Sequence, residues 1–95
     1  MIPKNRIPAH PGEILEREYL EPLGLSVDGL ARHLAIAAAG LREIVHGSAP
    51  MTPELAWKLA QAFDSTPEFW LQLQAHHDLA VHRPDHAVPK LLPVS

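Results

Sequence analysis

The chain has 95 residues, no cysteine and a net charge of −3 with histidine neutral. This length predicts one domain, and the lack of cysteine excludes a disulfide scaffold and a cysteine-containing zinc site. The charge is not that of a strongly basic nucleic-acid-binding protein, and no signal-peptide core or long apolar run indicates export or a membrane, so we expect a cytoplasmic protein.

The first helix is predicted to begin at Pro11, where the missing N–H of proline is not needed, and to stop at Pro22. His10 is a candidate either to cap this helix or to form another local hydrogen bond. The preceding residues 1–9 are proline-rich and are expected to be extended, with Ile2 or Ile7 docking on the core. The apolar stripe of the helix consists of Ile14, Leu15 and Leu20.

Two short helices separated by a tight turn are predicted next. Ser26 is the expected N-cap of the second helix, because its hydroxyl can accept a bond from a first-turn N–H. Gly47 suits the end of the third helix, since glycine adopts the left-handed conformation. Helical spacing places the following residues toward the core: Val27, Leu30, Ala31, Leu34, Leu41, Ile44 and Val45.

Thr-Pro-Glu occurs at 52–54 and again at 66–68, and each copy predicts a helix start with Thr as the cap. The fourth helix is expected to bury Leu55, Leu59, Ala62 and Phe63. The fifth carries Phe69, Trp70, Leu73 and Ala80 on one face and Leu71, Ala75 and Leu79 near another. Two apolar faces predict a helix that is sandwiched within the monomer or against a second copy. Trp57 is interpreted as a core-rim residue, with a partner anchor as the alternative.

No strand pattern is present, so the predicted fold is all-α. The expected organisation is an extended segment over 1–9, a helix-turn-helix domain over 10–81 and a proline-rich tail over 82–95. The tail is expected to be frayed, although Leu91, Leu92 and Val94 could pin it to a surface.

Four stretches carry a family resemblance: HPGEIL (10–15), EPLGLS (21–26), MTPELAWKLAQAF (51–63) and TPEFWLQLQ (66–74). In combination they resemble the HigA/VapI-type antidote proteins, which are antitoxins within the Xre/Cro-like helix-turn-helix superfamily. The resemblance covers roughly residues 10–80. It implies a five-helix, lambda-repressor-like DNA-binding domain that forms a homodimer and represses its own operon. It also implies a partner toxin, usually a small basic ribonuclease, that the protein neutralises.

The third helix departs from the pattern of this family at Ala37–Gly40, where hydroxyl and other polar residues are usual. Ala38 and Ala39 can make no hydrogen bond to a base edge. Arg42 is the strongest candidate for a guanine or phosphate contact, and the alternative is a solvated or ion-paired surface side chain. The complete set of candidate DNA-contacting residues is Ser26, Arg32, Ala38, Ala39, Arg42, Glu43 and His46.

Because Arg32 and Arg42 balance Asp28 and Glu43, the unit from 26 to 47 is locally neutral. The sequence therefore predicts weak operator binding of low specificity, helped by dimer symmetry and by Lys4, Arg6 or Lys58.

The same stretch predicts three local penalties for folding. Ala37 cannot cap the third helix, which costs about 0.5–2 kcal/mol. Gly40 inside a helix costs about 0.5–1 kcal/mol relative to Ala. Ala35 stands where the turn of the family that this chain resembles usually has Gly, and a left-handed Ala there would cost about 1–2 kcal/mol.

Catalytic and metal chemistry are not indicated. No nucleophile–base arrangement or glycine-rich phosphate loop is present. The histidines at 76, 77, 82 and 86 are better explained as solvated side chains than as metal ligands, because Pro84 breaks the helix that would align the last two. We therefore expect no enzyme activity and no cofactor. The alternative function is a toxin-neutralising module with a degenerate recognition helix, and a stand-alone regulator without a toxin is a third reading.

Overall fold

A computed structural model describes residues 7–92. Within them the chain forms five helices and no strand, which confirms the predicted all-α fold. The helices are α1 (segments Pro11–Leu15, Glu16–Leu20 and Glu21–Leu23 without a break), α2 (Val27–Leu34), α3 (Ala38–Val45), α4 (Pro53–Phe63) and α5 (Pro67–Val81). The division into 1–9, 10–81 and 82–95 stays a prediction.

The end of α1 differs from the prediction. The helix does not stop at Pro22 but continues to Leu23 and ends where Gly24 adopts the left-handed conformation at φ 62°. Its central segment is a π-helix in which the N–H of Glu21 bonds to the carbonyl oxygen of Glu16. This wider turn lies just before Pro22 and lets the chain pass through a residue that cannot donate to the helical ladder.

Side-chain caps fix the starts of four helices. Nδ1 of His10 accepts the N–H of Gly12 at 2.9 Å, which confirms His10 as the cap of α1. The hydroxyls of Ser26, Thr52 and Thr66 cap α2, α4 and α5 through first-turn N–H groups at 2.9, 3.2 and 3.1 Å. The Thr-Pro-Glu prediction is therefore confirmed at both sites.

One core joins all five helices, and Trp70, Leu15, Leu30, Leu41 and Leu59 are fully buried in it. Trp70 donates its indole N–H to the hydroxyl of Ser65 at 3.0 Å. Gln74 is the buried polar link between α5 and the start of α4, since its Oε1 accepts the N–H of Met51 at 2.7 Å.

Several predicted core contacts are wrong. Ala62 is exposed and Trp57 is 59% exposed, because both lie away from the side of α4 that buries Leu59 and Ala60. Ile7 is exposed, so it does not dock on the core, and Ile2 lies outside the described residues. The alternative of a pinned tail is also not seen, because Leu91 and Leu92 are exposed and residues 82–92 form no helix, while Val94 lies outside the described residues.

None of the helices in the described part of the chain combines the length and hydropathy that a membrane crossing requires.

Candidate nucleic-acid interface

The turn between α2 and α3 sets the angle of the two helices. Ala35 is left-handed at φ 58° and ψ 47°, as the sequence predicts. The N–H of Ile36 bonds to the carbonyl oxygen of Ala31 at 3.0 Å, and Nζ of Lys58 donates to the carbonyl oxygen of Leu34 at 2.9 Å. These bonds satisfy the last carbonyls of α2, so the turn is closed although alanine is strained in this conformation.

Helix α3 begins without a side-chain cap, because Ala37 occupies the N-cap position and offers no acceptor. Gly40 faces open space, with no atom within 4 Å of the position a Cβ would take. Beside these small residues a groove of about 400 Å³ separates α3 from the start of α4. Its walls include Ile36, Ile44, Pro50 and Leu55.

The two sides of α3 are chemically distinct. Leu41, Ile44 and Val45 are buried, as predicted. On the outer side Ala39, Arg42, Glu43 and His46 are exposed, whereas Ala38 is half-buried and packs against the core. The exposed residues form a ridge in which Arg42 and His46 carry the N–H donors and Glu43 carries a carboxylate.

The remaining candidate contacts lie on α2 and its N-cap. Ser26 is exposed, and its hydroxyl accepts the N–H of Gly29. Arg32 is exposed in the last turn of α2. Lys58 is half-buried and already holds the carbonyl oxygen of Leu34, so its ammonium group is not a free surface charge. Lys4 and Arg6 lie outside the described residues.

Arg42 is ion-paired within the protein. Its Nη2 lies 2.7 Å from Oδ1 of Asp28 on α2, and the two side chains remain 47% and 59% exposed. Sequence analysis counted Asp28 only in the charge balance of the unit and did not identify it as the partner of Arg42. The neutral charge balance of residues 26–47 showed that carboxylates are present in this unit but gave no indication of which one contacts Arg42.

The start of α1 packs beside the end of α3, and here His10 contacts His77 of α5. The ring of His10 meets that of His77 edge-on at 5.2 Å, and Nδ1 of His77 lies 2.8 Å from the carbonyl oxygen of Pro8, to which it donates. Burial lowers the pKa of His10 and the neighbouring His77 lowers it further, while the backbone of Ala49 and the carboxylate of Asp78 act in the opposite direction. His10 is therefore held in the neutral form that its role as an N-cap acceptor requires.

The outer face of α5 carries apolar residues that the monomer does not cover. Leu79 is 72% exposed and lies on the side opposite the buried Trp70, whereas Phe69 is 37% exposed and packs its ring edge-on against that of Trp70 at 5.0 Å. Gln72, Ala75 and His76 are exposed on the same side. We call this set of five exposed residues the α5 outer face.

Within residues 7–92 no group of three or more His, Asp or Glu side chains is arranged to hold a metal ion.

Comparisons with known proteins relate this arrangement to DNA-binding proteins, although no family model matches the chain. The chain is 49% identical over 74 residues to an uncharacterized HTH-type transcriptional regulator of Haemophilus influenzae, and the match covers 78% of this chain and 69% of the relative. The structure of antitoxin GraA in complex with its operator aligns with a TM-score of 0.84 at 32% identity, over 98% of this chain and all of GraA. Pseudomonas aeruginosa antitoxin HigA with the higBA promoter aligns with a TM-score of 0.81 at 33% identity, over 90% and 99% of the two chains.

Proposed function

Because the chain belongs to the HigA/VapI-type family of helix-turn-helix antitoxins and transcriptional regulators, we propose that it is an antitoxin that represses its own operon. It binds operator DNA through α2 and α3 and neutralises a small basic ribonuclease toxin. Family membership confirms the recognition made from the four sequence stretches and the prediction that the protein is not an enzyme.

The observation that carries this proposal is the outer ridge of α3. The helix is regular and packed through Leu41, Ile44 and Val45, which leaves Arg42, Glu43 and His46 facing outward. A helix-turn-helix protein places its second helix in the major groove with such outward residues near base edges. The missing cap at Ala37 does not prevent this geometry.

Operator binding is proposed to be weak and of low specificity. Ala39 can contact only a thymine methyl, and the half-buried Ala38 presents less of its side chain. Arg42 must share its guanidinium with Asp28. The neutral balance of α2 and α3 gives few cations to release counterions from the duplex.

A homodimer formed through the α5 outer face would compensate for this weak ridge. Phe69 and Leu79 are large apolar side chains that a second copy could bury. Two recognition helices about 34 Å apart reach successive major grooves of one face of the duplex. When both half-sites are bound, the small binding free energies of the two α3 helices add in one complex.

Neutralisation of a toxin is supported by the family and by the acidic balance of the chain, which is complementary to a basic enzyme. A cytoplasmic location is part of the same proposal, because operator DNA lies inside the cell. Co-expression with the neighbouring gene product tests the toxin partner. A stable complex after purification supports the antitoxin role, and two proteins that elute apart under low and high salt contradict it.

A second candidate function is a toxin-neutralising module that has lost DNA binding. The ion pair of Arg42 with Asp28 and the uncapped Ala37 favour this second function, because both weaken the ability of the outer ridge of α3 to bind DNA. An electrophoretic shift with the DNA upstream of its own gene separates the two functions. The primary proposal expects a shift that Arg42→Ala abolishes, and the second expects no shift for either protein.

A further inference from the structure

The contact between Asp28 and Arg42 gives helix α2 a part in DNA reading. We propose that Asp28 is a positioning residue that turns Arg42 toward a guanine and thereby supplies the limited sequence specificity of this weak interface. This inference rests on the operator binding proposed above and assigns the source of its selectivity.

The geometry of the pair leaves room for a base. Oδ1 of Asp28 accepts a hydrogen bond from Nη2 of Arg42 at 2.7 Å, which occupies one part of the guanidinium. A guanidinium carries five N–H donors in a planar fork, and two of them suffice for bidentate contact with O6 and N7 of guanine. Both side chains are about half exposed, so the free part of the fork lies at the protein surface.

The backbone that carries Asp28 is fixed at the start of α2. Asp28 lies in the first turn of α2, and the bond from Gly29 to Ser26 fixes that turn. The pair connects two helices over a separation of 14 residues, so the direction of Arg42 is fixed relative to the whole helix-turn-helix and not only to α3.

Without such a partner, an arginine on this helix would discriminate poorly between DNA sequences. Arg42 is the only basic residue within α3, and its neighbour Ala39 offers no hydrogen bond. A freely rotating guanidinium binds the phosphates of any sequence. The carboxylate of Asp28 restricts this rotation and repels phosphates, so it lowers the affinity for DNA in general while it preserves the guanine contact.

The test compares Asp28→Asn with Glu54→Gln, which removes another exposed carboxylate from the first turn of a helix. Fluorescence anisotropy measures the Kd for the DNA upstream of the gene and for a scrambled duplex of equal length and composition. For Asp28→Asn we expect tighter binding of the scrambled duplex and a five- to tenfold lower preference for the upstream DNA, on the order of the discrimination that one bidentate contact supplies. Glu54→Gln should keep the preference for the upstream DNA within about twofold. It removes one negative charge, as Asp28→Asn does, but Glu54 does not contact Arg42.

Three further arms separate positioning from a structural or charge effect. Asp28→Glu keeps the carboxylate and should restore most of the preference. Arg42→Ala alone is expected to abolish binding, and adding Asp28→Asn to it should restore no preference for the upstream DNA. A duplex with 7-deazaguanine, which lacks the N7 acceptor, should lower the affinity of the wild type more than that of Asp28→Asn.

Two results would contradict the proposed role of Asp28, each for a different reason. If the wild type prefers its upstream DNA and Asp28→Asn keeps that preference within twofold, Asp28 does not position Arg42 and the pair is an ordinary surface ion pair. If the wild type binds neither duplex, the proposed operator binding fails and this inference fails with it. Circular dichroism of each variant verifies that the helices are intact.

Discussion

Gly12 of α1 lies so close to Ile44 of α3 that a Cβ at position 12 would overlap the carbonyl oxygen of Ile44. The backbones of the two helices touch at this point, which fixes the end of the recognition helix against the rest of the domain. The glycine of the HPGEIL stretch is therefore required by packing.

Gly12→Ala should destabilise the protein by about 3 kcal/mol, because the added methyl group meets rigid backbone and forces the helices apart. Urea unfolding measures the effect. Gly40→Ala is the matched control, since its Cβ would enter open space in a helix interior. We expect that substitution to stabilise the protein by about 0.5–1 kcal/mol. Equal effects of the two substitutions would show that α1 and α3 do not meet at Gly12.

Ala37→Ser should stabilise the protein by about 0.5–2 kcal/mol, because the hydroxyl would accept a first-turn N–H of α3 that now has no side-chain partner. Thermal and urea unfolding measure the gain. Ala39→Ser adds the same hydroxyl at an exposed position inside the helix and should give no gain. A stabilised Ala39→Ser with an unchanged Ala37→Ser would place the start of α3 elsewhere.

Ala35→Gly should stabilise the protein by up to about 1 kcal/mol, because glycine removes the strain of a left-handed alanine but loses more entropy on folding. The reverse substitution, Gly24→Ala, places a side chain in a similar conformation at φ 62°. It should destabilise by a comparable amount in the same unfolding experiment. A gain in the free energy of unfolding for Ala35→Gly together with a loss for Gly24→Ala supports the turn geometry. A gain at both positions, or a loss at both, contradicts it.

Stability should fall as the pH drops through the range in which His10 becomes protonated. The pKa of His10 is lowered in the folded protein, so the unfolded chain takes up a proton first as the pH falls below about 6.5. The stabilisation of the folded protein by neutral His10 is complete above that pH. It is lost as the pH falls toward and through the lower pKa of His10 in the folded state.

The measurement is the free energy of unfolding between pH 7.5 and pH 5 for the wild type and for His10→Asn. Asparagine can cap α1 without titrating, so the variant should lose less stability over this range. Parallel pH profiles for the two proteins would contradict a role for His10 protonation.

Local signals in the sequence predicted most of the fold. Ser26, Thr52 and Thr66 each cap a helix through contacts within three residues, and such contacts can be read from spacing alone. The left-handed Ala35 and the uncapped Ala37 followed from the family resemblance, because Gly and a hydroxyl residue are usual at these two positions.

The errors concern features that local spacing does not contain. Pro22 was read as a stop because a π-helical turn that accommodates it leaves no simple sequence signal. Trp57 was placed near the core on account of its size, although it lies two residues from both Leu55 and Leu59 and hence faces outward. The pairing of Asp28 with Arg42 depends on how α2 packs against α3, which a single sequence does not specify.

The most direct test of the account is a titration of the DNA upstream of the gene at several salt concentrations, with Arg42→Ala measured in parallel. We predict measurable binding at low salt that weakens with a shallow log–log slope, and its loss in Arg42→Ala, because few cations face the duplex. A slope as steep as about −5, which corresponds to roughly six phosphate contacts, or binding that persists without Arg42 would contradict the sparse ridge described for α3.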